Sequence, residues 1–88
     1  MEIRVEHTLE LVEVQRRLAR VAEQNGIAIE PVDERSGRLQ KNVTLVGAVR
    51  ASYTIAADHL HVDVTEYPAM LEATLRRMLA DELKRALG

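Results

Sequence analysis

From Arg38 to Ile55 the chain alternates apolar and polar residues over a stretch longer than any ordinary strand. Odd positions Leu39, Val43, Leu45, Val49, Ala51, Tyr53 and Ile55 carry most of the apolar character. Even positions Gln40, Asn42, Thr44, Arg50, Ser52 and Thr54 carry most of the polar character. A run of that length must break, and Gly47 is the expected place, either as a bulge or as a corner between two strands. Both solutions build a sheet with one aliphatic and one solvated face, which is the habit of antiparallel pairing.

The same alternation recurs on both sides. Ile3 and Val5 against Glu2, Arg4 and Glu6 predict a strand over Glu2 to His7. Ile27-Ala28-Ile29-Glu30 predicts a short strand, which Pro31 places at an edge or ends. Asp33-Glu34-Arg35-Ser36-Gly37 reads as a turn, and so does Ala56-Ala57-Asp58. After the latter, Leu60, Val62 and Val64 alternate with His59, His61, Asp63 and Thr65, and Tyr67-Pro68 closes the strand.

Two segments change period. From Leu9, with Thr8 as the expected N-cap, Leu11, Val14, Leu18, Val21 and Ala22 recur at helical steps until Asn25-Gly26. From Ala69 to Leu87, Leu71, Leu75, Met78, Leu79, Leu83, Ala86 and Leu87 form an apolar stripe opposite Glu72, Arg76, Arg77, Asp81, Lys84 and Arg85. Leu75 and Leu83 are both expected in the core, near Val49, Tyr53 and Val62. The reading is α+β: a curled antiparallel sheet of four to five strands with two helices on one face. Its order is β-α-β-β-(β)-β-α, in a single domain over residues 1–88.

Composition narrows the function classes. Aromatic residues are only 2% of the chain, two Tyr with no Phe or Trp, so the core must be aliphatic. Twelve Lys and Arg against fourteen Asp and Glu leave a net charge of −2, which offers no long-range attraction to nucleic acid. The absence of Cys excludes disulfides and thiolate chemistry. Met1-Glu2-Ile3-Arg4 lacks the character of a signal segment, and no apolar run has transmembrane length, so the expected compartment is the cytoplasm.

The string His59-Leu60-His61-Val62-Asp63 is the one local pattern with chemical promise. Period-two spacing sets His59, His61 and Asp63 on one strand face, and these residue types can ligate zinc or another divalent metal. The string resembles the start of the metallo-β-lactamase motif, with Val64 standing where that motif has a further His. A solvated strand face produces the same residues without a metal, and no metal site is assigned on the pattern alone. No serine has the flanking glycines of a nucleophile elbow, no glycines cluster as a phosphate loop, and no catalytic residue or cofactor is expected. Arg16-Arg17 and Arg76-Arg77 have acidic neighbours and read as solvated helix faces. On the last helix, Met70, Leu79 and Leu87 are candidates for an interaction seam, serving a homodimer or an apolar particle.

The order of elements also resembles the family of polyhydroxyalkanoic acid system proteins, small bacterial chains encoded near polyester-granule genes. The resemblance runs from Glu6-His7-Thr8-Leu9 through Arg16 to Gly26 and the Val46-Gly47-Ala48-Val49 corner. It continues with Leu60-His61-Val62-Asp63-Val64 and with Tyr67-Pro68 leading into Leu71 to Leu87. It implies a non-enzymatic accessory protein tied to granule biosynthesis or to the granule surface, and it transfers no active-site residues. The alternative is a small binding module or metal-dependent enzyme using His59, His61 and Asp63 on the polar sheet face.

Overall fold

In the computed structural model, residues 1–43, 45 and 47–88 are described. Five strands form one antiparallel sheet: β1 (Glu2–Glu6), β2 (Ala28–Pro31), β3 (Ser36–Val43), β4 (Gly47–Ile55) and β5 (His59–Glu66). The spatial order is β1-β5-β4-β3-β2. Helix α1 (Leu11–Gln24) follows β1, and a 3₁₀ turn at Ala69–Leu71 leads into helix α2 (Glu72–Leu87). The expected α+β architecture is therefore present, with the fifth strand included.

The long alternating run resolves as two paired strands. Register runs from Ser36↔Thr54 to Val43↔Gly47, so Gly47 begins β4 and is not a bulge within one strand. Its φ of 118° is open to glycine and strained for other residues, and Leu45 before it also has a positive φ of 70°. Thr44 and Val46, part of the expected corner, lie outside the described residues. A true irregularity falls elsewhere, between Arg50 and Ala51 where β4 pairs with β5.

Helix α1 starts later than its sequence suggests. Glu10, not Thr8, occupies the N-cap, and no side chain caps the first turn. Thr8 is exposed, and the local backbone is held instead by His7. The His7 Nδ1 accepts from the Leu9 N–H at 3.1 Å, and its Nε2–H donates to the Ala56 carbonyl at 3.0 Å. That double bond set explains how a histidine can be only 7% exposed at a junction between two elements. The other end of α1 follows the expectation: Gly26 at φ 65° lets the Ile27 N–H reach the Ala22 carbonyl at 2.8 Å.

The core lies between the inner sheet face and the helices. Ile3, Val5, Tyr53, Ile55, Leu60, Val62 and Val64 meet Val14 and Leu18 of α1 and Leu83 and Leu87 of α2. Leu87 is thus a core residue at 3% exposure and cannot belong to an exposed seam. Leu83 is buried as expected, but Leu75 is only half-buried. The reason is the seating of α2. Its C-terminal half is fixed by Leu83, Leu87 and a hydrogen bond from Arg17 to the Ala86 carbonyl at 3.0 Å. Its N-terminal half begins in a 3₁₀ turn after Pro68 with no side-chain cap, and no residue before Leu83 is buried.

Candidate functional site

The outer face of the sheet carries the residues with metal-ligating potential, and the structure gives each a different partner. The Nδ1–H of His59 donates to Asp58 Oδ1 at 2.7 Å, which holds the Asp58 carboxyl below the ordinary aspartate range. Across the β1–β5 pair, His61 Nε2 lies 3.3 Å from Glu2 Oε1. Asp63 lies 3.7 Å from the Met1 amino nitrogen. Period-two spacing does align the three side chains, but each is drawn to its own neighbour. Among the described residues, no three His, Cys, Asp or Glu side chains come together as a metal ion requires.

The opposite, aliphatic face holds the more distinctive feature. Arg76 of α2 donates to the Glu2 carbonyl of β1 at 3.3 Å, and between this half of the helix and the end of α1 an open groove of about 300 Å³ remains over β3, β4 and β5. Its floor is Leu39 and Val43 of β3, Val49 and Ala51 of β4, and Val62 and Val64 of β5. Val21, Ala22 and Ile27 form one wall at the end of α1, and Leu71, Leu75, Met78 and Leu79 form the other. Composition sharpens this geometry. Ala51 and Ala22 are small residues on the floor and wall, and the chain has no Phe or Trp with which to fill the space.

The proposed seam residues divide accordingly. Leu79 is half-buried against the core and lines the groove. Met70 is 85% exposed and does not line it, whereas Met78, at 52% exposed, does. Among the described residues, polar groups at the groove are few: Asn25, Gln40, Lys41, Thr74 and Glu82. Lys41 is the residue that the sequence reading passed over. Strand period places it on the same face as Leu39 and Val43, opposite Val49 in the register. The available signal was a single cation on the apolar side of the long alternating run.

No protein-family model and no curated protein matches the chain.

Proposed function

We propose that this is a non-enzymatic binding protein whose partner is apolar, and that the groove beneath α2 receives it. The observation that carries this reading is the groove itself: an open, aliphatic cavity of small-ligand size in a domain of 88 residues. Apolar surface left open to water is a free-energy cost that a bound apolar group removes. The resemblance to polyhydroxyalkanoic acid system proteins supplies a setting, in which that partner belongs to the aliphatic surface of polyester granules.

Co-sedimentation with purified polyester granules tests the proposal. The wild-type chain is expected in the granule pellet, and Leu75→Glu in the supernatant. Leu75 is half-buried at the groove, so the substitution places a charge there while leaving the buried core intact. Equal pelleting of both chains, or failure of both to pellet, would overturn the granule reading. Circular dichroism of the variant confirms that it folds.

A further inference from the structure

We infer that the groove binds a single-chain aliphatic carboxylate, the chain lying on the aliphatic floor and the carboxylate meeting the Lys41 ammonium. The inference rests on the groove being the binding site, and it adds the class of ligand. Lys41 sits between Leu39 and Val43 on the inner face of β3 and opposite Val49 on β4, so its register neighbours on that face are apolar. A cation with apolar neighbours suits a ligand that combines an alkyl chain with a counter-charge.

No carboxylate among the described residues lies within ion-pair distance of Lys41. Glu82, the one carboxylate lining the groove, is engaged by Arg85 at 3.2 Å. A neutral alkyl ligand would cover the ammonium without pairing it. A carboxylate supplies a charge-assisted hydrogen bond at that point, while its chain replaces water on the floor.

Size and charge narrow the ligand further. A groove of about 300 Å³ stands at the small end of ligand sites. Among the described residues lining it, Lys41 is the only cation, which matches a monoanion better than a phosphate, with its charge of about −1.5 to −2. The competing role for Lys41 is structural: its methylene stem covers apolar surface while the ammonium reaches water. That role would not distinguish an acid from an alcohol of equal chain length.

Titration with octanoate and with 1-octanol at pH 7, followed by amide NMR shifts at Val43, Val49 and Leu75, separates the two. The wild type is expected to bind octanoate about tenfold more tightly than octanol, the contribution of one charged hydrogen bond. In Lys41→Met that preference should fall to within about twofold with octanol binding retained, and Lys41→Arg should keep it. Thermal melts of both variants establish that they fold. Equal affinities in the wild type, or an unchanged preference in Lys41→Met, would overturn the inference and leave the apolar groove standing. If neither ligand moves the groove resonances, the groove reading fails together with the inference.

Discussion

Asp33 organises the turn between β2 and β3 through one carboxylate oxygen. Oδ1 accepts the backbone N–H of Arg35 at 2.8 Å and that of Ser36 at 2.8 Å. These bonds, that of Arg35 foremost, hold its carboxyl below the ordinary aspartate range. A depressed folded value stabilises the protein at neutral pH, and the contribution fades as pH falls through the ordinary range toward the folded value. Asp33→Asn keeps an acceptor oxygen and removes the charge. Its melting temperature should therefore fall less between pH 6 and pH 3 than that of the wild type, and parallel curves would refute the assignment. Nearby, Gly37 is required for a different reason: a Cβ there would lie 2.5 Å from Tyr53 Oη and 2.7 Å from the Glu30 carbonyl. The turn was legible in the sequence because Asp, Ser and Gly at these spacings have local chemistry. The clasp of His7 was not, since its acceptor Ala56 is far along the chain, and Lys41 was not, because alternation tolerates a single exception.

Helix α2 shows how much periodicity can and cannot say. The stripe from Leu71 to Leu87 is continuous, so the sequence foretells a helix with one apolar face and assigns Leu75 and Leu83 the same role. The structure separates them, because Leu83 meets the core while Leu75, on the same stripe, borders the groove. Leu83→Ala should lower stability by about 2–5 kcal/mol, since Leu83 is 4% exposed within the core. Leu75→Ala should cost only about 1 kcal/mol, because the removed methyl groups face an open groove. Urea melts decide this: equal losses at the two positions would mean that α2 is seated along its whole length. The start of α1 was misread for a related reason. Thr8 is a good cap in isolation, but His7, anchored to the Ala56 carbonyl, takes the Leu9 N–H and the helix begins at Leu11.

At the level of the whole molecule, the sheet and its layers were legible because alternating segments bury one face wherever they pair. The groove was not, since it depends on volume left open between the helices and the sheet, which no residue pattern encodes. The strand order has one more consequence, in time. β3 pairs with β4 through a short reversal and β4 with β5 through another, so most of the sheet can zip locally. β1 is the exception: among the described residues its one strand neighbour is β5, with Ile3 facing Val62, so this pair closes across about two-thirds of the chain. The expected folding transition state therefore holds the β3–β4–β5 meander with β1 undocked. Ile3→Val, destabilising by about 0.5–1.5 kcal/mol, should act mainly by raising the unfolding rate. A chevron in which the folding limb alone slows would place β1 in the nucleus instead. During synthesis the same topology makes β1 wait. Ile3 and Val5 leave the ribosome before the strand that will shelter them exists, and Arg4, flanked by Glu2 and Glu6, keeps that waiting segment charged on its other face.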